Sequence, residues 1–465
     1  MSHGGTRAPA ASLGLLDATM VGVGAMIGAG IFVLTGLAAE TAGPAAIVVF
    51  ALNGGVTTLT ALSYAELASA IPKNGGGYAY VREAFPDPVS FVMGWTRWFT
   101  YVAAGALYAL GFSSNFVEFV HIYWPALPTG PILPGGPSFH VVYALGVVLL
   151  FVTLNAVSTE ASGGAETAIT LVKIAILLVF VAFGVFAVNT AEFTPTFPNG
   201  HLAVLPAMGL TFIAFQGYDL IATVTEEVEN PRKNIPRAIL ISLVATVAIY
   251  LLVVFVAIGT LGAEALGAAG ETAVAQAAES FMPAMPVIGT GAALIAFGAV
   301  FSTISALNAV VIGSSRVAFA MGRERQLPAR LGRIHHRFGT PFVAVAASAA
   351  VMLIAVVVVP IRTVGNLASL FTLLGFVIVN AAVIKLRRDK PDLQRPYELP
   401  FYPIPPILGI VLNLLLGLFI DPMTWGLAMG WLVVGGVAYL GWSRLRARRQ
   451  ELGGGGPESI GGGND

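Results

Sequence analysis

The stretch "GVGAMIGAGIFVLTG", residues 22–36, carries five glycines and no charge. Each glycine in a helix interior costs roughly 1 kcal/mol relative to alanine. A segment this apolar is suited to lipid, yet its composition weakens the helix that lipid demands. The question it raises is what a membrane helix gains from coming apart.

Composition places that stretch in a bilayer. The chain has 465 residues, 56% of them hydrophobic and only 10% charged, with a mean hydropathy of +0.83. A soluble domain carries about 25% charge. Apolar runs recur from Leu13 to Trp442, many of them beyond the roughly 18 residues that identify a membrane helix. The balance of 24 basic and 24 acidic residues argues against a nucleic-acid partner. With no cysteine, disulfides, thiol nucleophiles and cysteine metal sites are excluded. The N-terminus "MSHGGTRAPAASLG" lacks a signal-peptide pattern, so the first apolar run is expected to be a span.

Apolar windows and their breaks predict an all-α integral membrane protein of twelve spans: 14–38, 44–70, 89–120, 139–158, 165–188, 202–226, 237–262, 286–321, 342–360, 363–386, 401–420 and 423–443. With the N-terminus inside, the inner segments collect nearly all the Lys and Arg, from Arg7 through Arg232, Arg323 and Arg387 to the arginines at 444–449, and the outer side keeps Arg362 alone. The positive-inside rule then sets both termini in the cytoplasm of a multi-pass cell-membrane protein. The expected organisation is a tail at 1–12, a core of ten spans at 13–388, two further spans within 389–446, and a glycine-rich disordered tail at 447–465. Two long connections, "IPKNGGGYAYVREAFPDP" after the second span and "GAEALGAAGETAVAQAAESFMP" after the seventh, are symmetry mates if spans 1–5 and 6–10 are inverted copies.

Three readings compete for the glycines. Gly22, Gly24 and Gly28 are spaced like a dinucleotide fingerprint, which needs a strand before it and an aqueous cleft, and neither is present. Gly24 and Gly28 also form a small-xxx-small helix contact. The third is a broken helix, in which Gly28-Ala29-Gly30 allows unwinding at mid-depth. Bare backbone there is tolerated only where it lines a cavity. Freed amides at the start of the second half suit a carboxylate, and freed carbonyls of the first half suit an ammonium. The sixth span has a matching interruption at Gln216-Gly217, followed by Tyr218 and Asp219. Paired interruptions point to one central site for a zwitterion.

With these residues the chain resembles the amino acid–polyamine–organocation superfamily of permeases, in the bacterial and archaeal branch related to cationic amino acid transporters. The opening glycine stretch, "SYAELASAIPKNGGGYAYV", "FQGYDLIATVTEEVENPRKNIPRAI", and "LNAVVIGSSRVAFAMGRERQLP" followed by "HHRFGTP" are similar to its signatures, in order, over residues 15 to about 345. The resemblance implies a five-plus-five inverted repeat with broken first and sixth helices, and amino acid transport. It puts the carboxylate-binding amides at Ala29 and Gly30 beside Ile27 and Gly28. The ammonium-binding carbonyls fall on Met26, Ile213, Ala214 and Gln216. Many relatives carry an aromatic gate where this chain has Ile213, with Phe212 or Phe215 as substitutes.

Charged residues in the spans narrow the mechanism. Lys173 lies about nine residues into the fifth span, roughly 12 Å deep, where a lysine costs roughly 2.5–3.5 kcal/mol to insert. The resemblance gives it the place of a sodium ion in sodium-coupled relatives, bridging the first and eighth helices. Ser302 and Ser305 are its expected partners, and proton release would loosen the bridge. Asp219 is read as a cap on the second half of the sixth helix, with a cationic side chain as its other possible partner. Arg97 is expected to snorkel to the inner face. Glu66, Glu226 and Glu227 are expected to pair near Lys73, Arg232 and Lys233. None of the six histidines has metal-ligand spacing, so neither metal nor cofactor is expected.

The expectation is a secondary transporter moving small amino acids with protons by alternating access. An amino acid exchanger is the rival within transport, and a membrane substrate sensor or a channel the rival from another class. An enzyme would need intramembrane acid or histidine clusters, and only Asp219 and Lys173 lie deep.

Overall fold

The computed structural model describes residues 13–453, apart from 74, 133–135, 158–162 and 285–288 and the side chains of 163–165 and 445–453. The tail at 1–12 and the end of the C-terminal tail, 454–465, lie outside the described residues.

The first span is two helices, α1 (Leu15–Met26) and α2 (Ala29–Ala42). Ile27 and Gly28 leave helical geometry between them, at φ −73°, ψ 71° and φ −111°, ψ −139°. The chain then forms α3 (Ala46–Ala70), a short α4 (Gly76–Ala84), α5 (Asp87–Tyr123), α6 (Phe139–Val157) and α7 (Gly163–Gly184). At 37 residues α5 is about 55 Å long, the overlong third span.

The sixth span breaks more thoroughly than expected. Helix α8 (Val204–Thr211) tightens into a 3₁₀ turn at Phe212–Phe215. Gln216 is extended and Gly217 has φ +145°. Beyond them the span continues as 3₁₀ turns at Tyr218–Thr223 and Thr225–Glu227, so the second half that Asp219 was to cap is 3₁₀ rather than α. The 3₁₀ form suits short runs with poorer hydrogen-bond geometry.

The second half continues with α9 (Pro231–Leu261), short α10 (Ala263–Ala269) and α11 (Ala273–Phe281), α12 (Gly291–Arg323), α13 (Phe342–Val358) and α14 (Ile361–Asp389). Two more helices follow, α15 (Ile404–Leu418) and α16 (Pro422–Gly453). Among the described residues, eight segments are long and apolar enough to cross a membrane. The first, Leu15–Ala70, runs through α1, α2 and α3, and α13 and α15 are shorter apolar helices. The protein is an all-helical membrane protein with breaks in its first and sixth spans.

Packing expresses the repeat. Helix α3 lies on α9, α5 on α12 and α6 on α13, each span against the one five places later. Contacts of the broken spans come in matching sets: α1 packs on α9 and α7, and α8 packs on α3 and α14. The two long connections are mates as well, since α4 packs on the 3₁₀ half of the sixth span and α10 and α11 pack on α2. Membrane helices associate through van der Waals fit and hydrogen bonds, not hydrophobic segregation. Asn380 of α14 accordingly reaches Thr60 of α3 at 2.9 Å and accepts from Ser63 at 2.7 Å.

Glu66 corrects one expectation. Its partners are not Lys73, Arg232 and Lys233 but Arg387 of α14, through Nε at 2.8 Å and Nη2 at 2.6 Å, with Arg395 at 3.6 Å. The Leu399 amide completes the set at 2.9 Å. Lys73 pairs with Glu83 instead. A carboxylate with 1% exposure is costly to bury without partners, and these donors supply them. The cluster fastens the connection after α14 to α3. Glu66→Gln should therefore lower unfolding stability by about 2 kcal/mol, the worth of a charge-assisted hydrogen bond, read as a fall in melting temperature in detergent.

Candidate functional site at the two helix breaks

The two interruptions meet. A Cβ added to Gly30 would stand 2.6 Å from the Ala214 side chain, and one added to Gly217 would stand 2.6 Å from the Met26 amide. Backbone from one half of the protein therefore touches backbone from the other, an approach no larger residue permits at either position.

Tyr250 of α9 ties them together. Its hydroxyl reaches the Met26 carbonyl at 2.5 Å and the Ala214 carbonyl at 3.1 Å. One hydroxyl carries one proton, so it donates to one carbonyl at a time. The Met26 carbonyl also accepts the Gly28 amide, whereas the Ala214 carbonyl keeps a further lone pair for a second donor. Phe215 and Phe50 pack edge-on around the same phenol, with ring centroids 5.5 and 5.9 Å from it.

The other expected binding groups are placed as follows. Ala29 and Gly30 occupy the first turn of α2, where amides have no partner within the helix, and no side chain caps it. The Gly28 amide turns back to the Met26 carbonyl at 2.7 Å. The Ile27 carbonyl accepts from Ser302 of α12 at 2.5 Å. Across the gap, the Ile213 amide donates to Ser369 of α14 at 3.1 Å, and the Ile213 carbonyl accepts from the Gln216 amide at 3.1 Å. Gln216 Oε1 lies 3.4 Å from the Thr372 hydroxyl. Phe215 thus borders the break, whereas Phe212 faces Phe376 of α14.

Lys173 faces inward. It is fully buried, while its neighbours Leu171 and Val172 are 50% and 44% exposed toward the lipid side. The ammonium donates to the Gly24 carbonyl of α1 at 2.9 Å and to Ser305 of α12 at 3.0 Å. It thereby links the first and eighth spans. Ser302 differs from expectation. One turn from Ser305 on α12, it bonds the Ile27 carbonyl at the break and makes no described bond to the lysine.

The Asp219 Oδ1 accepts the Gly217 amide at 3.1 Å, a bond to the break itself rather than a cap on a following α-helix. Its Oδ2 is ion-paired with Arg97, and Tyr101 lies 3.4 Å from the same oxygen. Arg97 therefore does not snorkel. It sits about 15 Å along α5 from Asp87 and is 3% exposed. A buried guanidinium needs a carboxylate more than it needs an interface.

Sequence alone missed Tyr250, Arg97, Ser369 and Thr372. The signal for Arg97 was its distance from the helix start. That for Tyr250 was a lone hydroxyl in the aliphatic run "VAIYLLVVFV".

Comparison with known proteins identifies the family. Residues 13–438 match the family model described as amino acid permease. The chain is 31% identical to the branched-chain amino acid permease BcaP of Bacillus subtilis, over 94% of each chain. It is also 31% identical to the methylthioribose transporter of that organism, over 94% of this chain and 95% of the other. Identity to the serine/threonine exchanger SteT of the same organism is 29%, over 94% of this chain and 97% of the other. The protein is a membrane transporter, and it belongs to the amino acid permease family.

Proposed function

We propose that the protein is a proton-coupled symporter of amino acids in the cell membrane, working by alternating access, with both termini cytoplasmic. The substrate carboxylate is taken by the amides of Ala29 and Gly30 at the start of α2, and the ammonium by the carbonyls of Met26, Ile213 and Ala214 with Gln216 beside them. Helix dipoles favour this polarity. The orientation draws support from the basic residues gathered on one face, whereas Arg362 on the other is paired with Glu40.

One observation carries the coupling: Lys173 holds α1 to α12 through a carbonyl and a hydroxyl, with no carboxylate bonded to it among the described residues. Protonated, it offers three donors and locks both partners. Deprotonated, it loses a donor and its charge, and α1 is freed to move. Uptake driven by an inward proton gradient in proteoliposomes should be lost in Lys173→Ala. Binding, read by thermal shift with amino acids, should persist in that variant. A Lys173→Ala protein with the full pH dependence of the wild type would refute the assignment.

Exchange is the second reading, favoured by the likeness to SteT. Counterflow without a pH gradient should be weak relative to gradient-driven uptake if symport is correct, and dominant if exchange is. Tyr250→Phe removes the hydroxyl that steadies both breaks. It should raise KM by about tenfold, the equivalent of one hydrogen bond of roughly 1–1.5 kcal/mol, with a smaller change in maximal rate.

A further inference from the structure

We propose that Arg97 sets the side-chain class this permease carries. By pairing with Asp219 it withdraws the carboxylate at the sixth-span break from any incoming cation, so that neutral side chains are accepted and lysine and arginine are refused. The proposal rests on the reading that the two breaks hold an amino acid.

The carboxylate of Asp219 belongs to the break itself, since Oδ1 accepts the Gly217 amide. Left alone, it would be the natural partner for a positively charged side chain lying along α8. Arg97 reaches it from α5 and occupies Oδ2, with Tyr101 beside both groups at 2.9 Å from the guanidinium and 3.4 Å from the carboxylate. The pair is neutral and almost wholly buried, with side-chain exposures of 4% and 1%. Charges so far from water hold their partners strongly.

What the cluster leaves unmet points the same way. Arg97 Nη1 and Gln216 Nε2 are buried without an acceptor among the described residues. Both are donors. Lysine and arginine side chains are donors only, and would add a second positive charge beside the guanidinium. A neutral side chain with a hydroxyl or carboxamide oxygen supplies the acceptor that is lacking. The nearby phenols of Tyr64 and Tyr218, whose rings meet edge-on at 5.7 Å, are buried without a hydrogen-bond partner among the described residues and carry no charge that would hold a cation. The other charges near the breaks, Lys173 and Glu166, lie on α7 against Gly24 of α1. Lys173 also repels a cation.

The test is competition against uptake in proteoliposomes, with L-leucine, L-serine, L-lysine, L-arginine and L-glutamate as probes. Wild type should carry leucine or serine and be indifferent to lysine and arginine. Arg97→Gln bares Asp219, and lysine should then compete about tenfold more strongly relative to leucine in the same vesicles. Asp219→Asn bares the guanidinium, and glutamate should gain in the same way. Arg97→Gln with Asp219→Asn should show neither gain. Arg97→Lys, which keeps the pair, should behave as wild type. Arg97→Gln protein that carries leucine and still refuses lysine overturns the proposal. If that variant cannot be recovered folded, absence of the glutamate gain in Asp219→Asn overturns it instead. Wild type that takes leucine and lysine alike overturns the role of Arg97 alone, whereas wild type that carries no amino acid overturns the function proposed above together with it.

Discussion

A peptide group set free inside an apolar interior has to be met by something, because no water is at hand to meet it. Breaking two membrane helices at the same depth sets several free at once, and much of the polar inventory of this protein answers that demand. Tyr250 comes from α9, Ser302 from α12, Lys173 from α7 and Ser369 from α14, each to a carbonyl or amide at or beside a break. Asn53 of α3 adds bonds to the Met208 carbonyl and the Thr211 hydroxyl at the end of α8, both at 3.0 Å. Five helices are thus held in register by the groups the breaks expose. The amides at the start of α2 have no side-chain cap, and they are the proposed seat of the substrate carboxylate.

The buried charges divide by how they are balanced. Glu66 is matched by Arg387, and Arg97 by Asp219, so both are neutral as pairs. Among the described residues, Lys173 is hydrogen-bonded to a carbonyl and a hydroxyl and to no carboxylate. Dipoles stabilise an ammonium less firmly than a carboxylate does, so its charge can follow a change in the surrounding structure with less resistance. Coupling is better placed on such a group than on a closed ion pair, where losing a proton would strand an opposite charge.

Much of this arrangement was legible before any coordinates. Glycine content marked the interruption at Gly28, and the hydropathy pattern marked the spans. The depth of Lys173 along its helix pointed inward. Residues whose roles depend on a distant partner were harder. Arg97 and Asp219 are 122 positions apart, and Glu66 and Arg387 are 321. Local pattern says that each such charge needs a counterpart, yet not which one. Ser302 and Ser305 show the limit at its finest, since one turn of α12 decides whether a hydroxyl meets a break carbonyl or an ammonium.

By itself, then, the order of residues determined that the chain lives in a bilayer, which segments are its apolar spans, and that two of them are weak at the middle. These are properties of short segments, governed by transfer into lipid and by the cost of glycine in a helix. Tertiary structure decided that the weak points touch, that Tyr250 steadies both, and that Arg97 claims Asp219. Those outcomes depend on helix rotation and register across the repeat, which packing between distant segments sets and no local propensity encodes.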